Sequence, residues 1–330
     1  MSVTALGLVL AAAVAHAVWN IVAANSSRSG VPFLLWGAVF STALWALAIP
    51  FTGGIGASGV ASFLLAVAVS GVLHVAYLLV LQRGYRAGDL STVYATARGS
   101  GPVLTVAVSI LWFGERPGLL SLGGVSLVIL GVVAFGVIGR RGASGRAAGS
   151  RAAGGGAGGG VAAKRPRVDP AIVFGLLTGV AIATYTVWDV SMVNGFGIAP
   201  VAFMVGTSAA QAVIFSGMLG GEAARAGRAA SARGSANAYG RAGAVAWGRL
   251  RGELLANWRG LLTFGVLSPL SYILVLTAAT LAPLSLVAPM REISVVLVGL
   301  YGAFRSRENN PALRLTAAVV VVVGVVLSGL

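Results

Sequence analysis

The chain has 330 residues, 57% of them hydrophobic and only 9% charged, where a soluble domain carries about 25% charged residues; this excludes a soluble globular domain and marks a polytopic membrane protein. Lys and Arg outnumber Asp and Glu by 23 to 8, a formal net charge of +15, but the basic residues fall in a few segments between apolar runs. That pattern reads as a topology signal and an attraction to anionic lipid, so the expected partners are the bilayer and a small-molecule substrate, with no nucleic acid.

Cysteine is absent, which rules out disulfides, iron–sulfur clusters, thiolate zinc sites and cysteine nucleophiles. His16 and His74 are the only imidazoles, so neither a metal centre nor a cofactor is expected. Apolar runs of about 20 residues, the length a helix needs to cross a bilayer, predict spans over 3–24, 32–51, 60–81, 90–113, 118–138, 171–193, 199–220, 260–281, 283–304 and 313–330. The expected fold class is therefore an all-α membrane protein of ten transmembrane helices in two sets of five. Continuous rather than alternating apolar runs favour helices over a barrel. The first run has no basic stretch ahead of it and reads as a retained span rather than a cleaved signal.

Residues 1–138 form the first expected five-helix unit, and 170–330 the second. Between them, 139–169 is a Gly/Ala/Arg-rich tract too polar and too simple to bury a core, expected to be a flexible linker. Its KRPR run reads as a solvated basic loop. A basic, Ala-rich insert covers 221–259. It is compatible either with a short helix lying on the membrane surface, anchored by Trp247 and Trp258, or with a disordered loop.

Twenty of the 23 Lys and Arg residues fall in alternate loops on one side, against Arg116 alone on the other, with Arg98 and Arg291 inside spans. The positive-inside bias then makes the basic loops cytoplasmic and puts both termini outside the cell. An odd number of spans per half means that the second half enters the membrane from the opposite side, as an inverted repeat. The residues repeat too. A shift of 193 aligns Arg291 with Arg98, Glu308 with Glu115 and Gly324 with Gly131; a shift of 169 aligns Val187-Trp188-Asp189 with Val18-Trp19-Asn20.

Charged side chains inside a span are costly and usually line a bundle interior or a substrate path. Arg98 and Arg291 are thus candidate substrate-binding residues, since a guanidinium stays charged and binds a carboxylate or phosphate bidentately. The structural alternative is that Glu292 neutralises Arg98 across the two copies. Glu292 and Asp189 are the acidic residues set well inside spans, and both are candidates for proton coupling. Trp19 and Trp188, with Asn20 and Asp189 beside them, are candidate cavity walls that could stack on a ring or cap a cation. His16, Tyr94 and Tyr272 are further candidate substrate contacts, while His74, Tyr77, Tyr185 and Gln211 read first as hydrogen-bonding groups between helices. Pro102, Pro269 and Pro289 lie inside spans, where a proline permits a kink.

Ten spans in two five-helix copies, the segment His16-Ala17-Val18-Trp19-Asn20 and the Gly114-Glu115 pair closing the fourth span together resemble the EamA-like branch of the drug/metabolite transporter superfamily. The resemblance covers nearly the whole chain apart from the two basic segments. It implies secondary transport of small metabolites, often export of amino acids or related compounds, through a central cavity lined by both copies. Two positions depart from the pattern: Ala23-Ala24-Asn25 stands where that branch has a lysine shortly after the Trp-Asn, and Arg307-Glu308 replaces Gly-Glu in the second copy. The expected function is a carrier in the plasma or inner membrane, with a second copy of the chain as a further candidate partner. The alternative is an integral-membrane enzyme acting on a lipid-linked substrate. No Ser-His-Asp, HExxH or paired-carboxylate arrangement supports that alternative, so no enzymatic activity is expected.

Overall fold

The computed structural model describes residues 1–26, 30–87, 90–134, 169–306 and 311–329. Helix α1 covers Val3–Ser26, α2 Val31–Ala46, α3 Val60–Ala87, α4 Leu90–Trp112, α5 Leu119–Ala134, α6 Pro170–Phe196, α7 Pro200–Ser231, α8 Ala238–Ala279, α9 Leu284–Arg291, α10 Ile293–Ser306 and α11 Pro311–Gly329. No strand occurs among the described residues. Each expected apolar run contains at least one helix among its described residues. Of these helices, α1, α3, α6, α7 and α8 are long and apolar enough to cross a membrane, whereas α2, α5 and α11 are apolar but shorter. The chain is a helical membrane protein.

The helix starts follow from local chemistry. Proline stands in the first turn of α2, α6, α7 and α11, where its missing N–H is no loss and its fixed φ suits the helix. Ser2 Oγ accepts the Ala5 N–H at 3.2 Å and Asp169 Oδ1 accepts the Ala171 N–H at 2.9 Å, so side chains satisfy N–H groups at the starts of α1 and α6. Thr105, Ser109 and Thr178 turn their hydroxyls back onto carbonyls four residues earlier, so these polar groups do not face lipid unpaired.

The structure differs from the sequence expectation in three places. The span over 32–51 ends as a helix at Ala46 and gives way to a 3-10 turn at Ile49–Phe51, because Pro50 has no N–H to continue the ladder. The span over 283–304 is broken in two. Pro289 interrupts the ladder, Glu292 donates its N–H to Pro289 O at 3.0 Å and accepts that of Val295 at 2.9 Å. These i to i−3 bonds tighten the chain into a junction between α9 and α10. Lastly, the insert at 221–259 is neither one short helix nor a loop: it is the end of α7, a turn at 232–237 and the part of α8 that precedes the bend at Asn257.

In that arm the Tyr239 ring packs on Gly227 and Arg249 pairs with Glu222 at 3.5 Å. Asn237 takes a left-handed φ of 55° at the start of α8. Further along, Asn257 leaves helical geometry and bends α8, and its side-chain amide donates to Glu253 at 2.8 Å. Ala and Arg are strong helix formers, which is why this basic segment is helical.

The described residues divide into two compact units, each drawing on both halves of the sequence. The first comprises 1–13, 76–187 and 281–330; the second comprises 14–75 and 188–280. In the first unit, α5 and α11 approach so closely that a Cβ on Gly124 would strike the backbone at Gly324 and Ser328, and one on Gly131 would strike Val321. Small residues at these positions let two membrane helices pack backbone to backbone. In the second unit, α2, α7 and α8 pack together around Phe33, Leu261, Met204 and Ile273. Trp36 and Trp45 on α2 donate their indole N–H groups to Leu250 O and Val266 O of α8, at 3.0 and 3.1 Å.

Candidate functional site: two buried charge clusters

Each unit holds its own cluster of buried charge. In the first unit, Arg98 rises from α4 within the stretch Arg98-Gly99-Ser100-Gly101-Pro102, where a Cβ on Gly101 would press on Ile182 of α6 and one on Gly99 would strike Val133 of α5. Arg98 Nη1 lies 3.4 Å from both carboxylate oxygens of Glu292. Arg291 Nη2 lies 3.4 Å from Glu292 Oε1. All three residues are buried, at 7%, 5% and 1% exposure for Arg98, Arg291 and Glu292.

The pairing of Arg98 with Glu292 is therefore present, with Arg291 sharing the same carboxylate. Contacts of 3.4 Å are long for charge-assisted hydrogen bonds, which favour about 2.7–2.9 Å, so Glu292 is a shared counter-charge rather than a tight bidentate partner. One turn before Arg98, the Tyr94 ring centroid sits 5.4 Å from the guanidinium carbon, within cation–π range. The cluster lies at the α9–α10 junction, the kind of helix break at which transporters place ion and substrate sites.

The start of α9 is fixed from the turn after α4. Gly114 takes a φ of +66°, a conformation that favours glycine. It directs the chain so that Glu115 accepts the N–H groups of Leu284 and Ser285 at 2.8 and 2.9 Å. A carboxylate placed there satisfies orphan donors and matches the positive end of the helix dipole. Glu308, its counterpart by sequence, lies outside the described residues.

In the second unit, Asp189 on α6 is fully buried. Ser70 Oγ of α3 donates to its Oδ1 at 2.7 Å, and Tyr272 Oη of α8 donates to its Oδ2 at 2.6 Å. His74 Nε2 lies 3.7 Å from Oδ2, and the His74 ring is edge-on to Tyr272. Next along α6, Trp188 donates its indole N–H to Ala66 O at 3.1 Å, which ties α6 to α3.

Trp19, its sequence counterpart, lies edge-on to His16 at 4.9 Å and to Phe264 at 5.2 Å, with Phe33 beyond. Its indole N–H is buried with no hydrogen-bond partner among the described residues. Asn20 donates to His16 O within its own helix at 2.7 Å. The candidates named from sequence thus fall into three groups: Arg98, Arg291, Glu292 and Tyr94; Asp189 and Tyr272, with Trp188 alongside; and His16, Trp19 and Asn20. Ser70 was not singled out by sequence, because a serine in an apolar run usually bonds its own backbone.

No known protein-family profile matches the chain. A solved protein crystal structure superposes on it with a TM-score of 0.64, over 99% of this chain and 97% of the other, at 14% identity, a likeness of fold alone. In sequence, 45 residues are 51% identical to the multidrug resistance protein EbrB of Bacillus subtilis (strain 168), and an equal match is found to EbrB of Bacillus atrophaeus. That stretch is 14% of this chain and 38% of each relative, so the chain spans well under half the length of those proteins.

Proposed function

We propose that this protein is a secondary carrier that exports a small polar metabolite, such as an amino acid or a related compound, across the cell membrane by alternating access. The observation that carries the proposal is the buried Arg98–Glu292–Arg291 cluster at a break between two helices. Charge is retained in a membrane span where it serves a path or a site, and two guanidiniums sharing one carboxylate at long distance suit exchange. A substrate carboxylate competes with Glu292 for the arginines, binds bidentately, and returns them to Glu292 on release. The stretch shared with a multidrug resistance protein supports transport in general.

We assign the chain to the EamA-like branch of the drug/metabolite transporters, on its resemblance at His16–Asn20 and Gly114–Glu115. In this reading ten helices cross the bilayer as two inverted five-helix copies, the basic segments are cytoplasmic and both termini are outside. Counterflow of radiolabelled amino acids in liposomes containing the purified protein tests it. Exchange dependent on the protein and abolished in Arg291→Gln is expected. Absence of counterflow across amino acids, nucleobases and phosphorylated metabolites would remove the carrier assignment.

A further inference from the structure

We propose that Asp189 and His74 form one proton-binding site, positioned by Ser70 and Tyr272, and that this pair supplies the proton coupling of the carrier. The hydrogen bonds themselves decide which atoms exchange the proton. Ser70 Oγ has one proton and donates it to Asp189 Oδ1 at 2.7 Å, so toward His74 Nδ1, at 3.3 Å, it can only accept. Ser70 O lies 3.0 Å from Nδ1 and is also an acceptor. Nδ1 therefore carries hydrogen, and the nitrogen with the exchangeable position is Nε2, the one facing Asp189 Oδ2 at 3.7 Å. A proton arriving from water settles on Oδ2, with Nε2 as the facing acceptor, and the pair passes from one negative charge to none.

The surroundings suit this use. The groups facing the carboxylate are Ser70 and His74 from α3 and Tyr272 from α8. Helix α2 carries no titratable residue, and the titratable residues of α7 begin only at Glu222. Among the described residues Asp189 has no ion-pair partner but His74. The other acidic residue set deep in a span, Glu292, is already the counter-charge of two arginines. Protonation also has a mechanical consequence. Hydrogen bonds to an ionised carboxylate are roughly twice as strong as neutral ones, so adding the proton weakens the ties from α6 to Ser70 and Tyr272. Pro269 lies in α8 just before Tyr272, where the helix ladder is already interrupted. The tie that loosens is thus next to a ready bending point.

Proton binding is tested apart from transport, because only its consequence rests on the carrier reading. Asp189 is one of three aspartates, with Asp89 and Asp169, whereas Glu292 is a glutamate. Purified protein carrying Asp89→Asn and Asp169→Asn, grown with carboxyl-labelled aspartate, is titrated by infrared spectroscopy between about pH 5 and 8, the range in which a His-linked site responds. A protonated-carboxyl band that titrates and shifts with the label is expected, and Asp189→Glu keeps a titrating band that no longer shifts. A titrating band insensitive to the label, or no titrating band, overturns the proposal. In liposomes, wild-type protein exchanging labelled amino acid while Asp189→Asn exchanges but fails to accumulate it on a pH gradient is the expected second result. Undiminished gradient-driven accumulation in Asp189→Asn also overturns the proposal. Absence of exchange by the wild type counts against the carrier reading and leaves the infrared result to decide on the proton site.

Discussion

Glu115 accepts the backbone N–H of Leu284 at 2.8 Å across 169 residues of sequence, and that of Ser285 at 2.9 Å. A turn that closes one helix thereby supplies the cap for another. Helix α9 has eight residues and no capping side chain of its own, and an isolated helix of that length is unstable. Replacing Glu115 with Ala leaves two N–H groups without their acceptor. Each hydrogen bond to a charged group is worth about 1.5–3 kcal/mol, so Glu115→Ala should lower the thermal midpoint of the purified protein, and Glu115→Gln should recover part of the loss. Unchanged unfolding of Glu115→Ala would show that the cap contributes nothing.

The Arg98–Glu292–Arg291 cluster predicts an asymmetry between stability and transport. Glu292→Gln leaves two buried guanidiniums without their shared counter-charge, and breaking a buried pair in this way costs about 3–5 kcal/mol. Arg291→Gln leaves Glu292 still paired with Arg98, so it should fold better than Glu292→Gln while losing counterflow. Thermal unfolding and amino-acid counterflow, measured on the same preparations, check both halves of the prediction. In a double-mutant cycle, Arg98→Gln with Glu292→Gln should be less destabilised than the sum of the single changes.

Two adjacent glycines provide a matched pair on α5. A Cβ at Gly124 would meet the backbone of α11, whereas one at Gly123 meets nothing within 4 Å. Gly124→Ala should cost about 1–3 kcal/mol through overpacking, and Gly123→Ala should be neutral or better because alanine is the stronger helix former. Detergent-resistant folded yield after purification compares them. Equal behaviour would mean that the close approach of α5 and α11 is not needed.

The Arg249–Glu222 pair in the arm predicts a small effect. Its side chains are 52% and 47% exposed, and exposed ion pairs contribute about 0–1 kcal/mol. Glu222→Gln should leave the unfolding midpoint within experimental scatter at ordinary salt.

Orientation is open to a direct check. A reporter that matures only in the cytoplasm should stay dark at the C-terminus and be bright when inserted in the turn at 232–237. The opposite pattern reverses the assigned topology.

The helices were legible because apolar runs of bilayer length leave few alternatives, and proline marked where several of them begin. Arg291 and Glu292 were visible as charges in an apolar run. Pro289 marked that run for a kink and the repeat alignment offered Glu292 as a partner of Arg98; neither showed that Arg291 would share the same carboxylate. The arm was hidden for a different reason: its Ala and Arg composition suits an extension of α7 and α8 as well as it suits a surface helix, and Tyr239 against Gly227 is a contact made only in three dimensions. Asp189 could be picked out, but its donors Ser70 and Tyr272 lie 119 and 83 residues away, and neither hydroxyl carries a mark of that pairing. Gly114-Glu115 was conspicuous as a motif without any hint that its target is the start of α9.

The bend at Asn257 divides α8 into 238–256 and 258–279, and the second piece is about 33 Å long at 1.5 Å per residue, close to the hydrocarbon thickness of a bilayer. With the end of α7 braced against 238–256 by Tyr239 on Gly227 and by Arg249 with Glu222, the protein carries a helical hairpin of its own. A folded soluble domain inserted in the turn of that hairpin near Gly234 would give electron microscopists an alignment landmark on a particle otherwise wrapped in detergent.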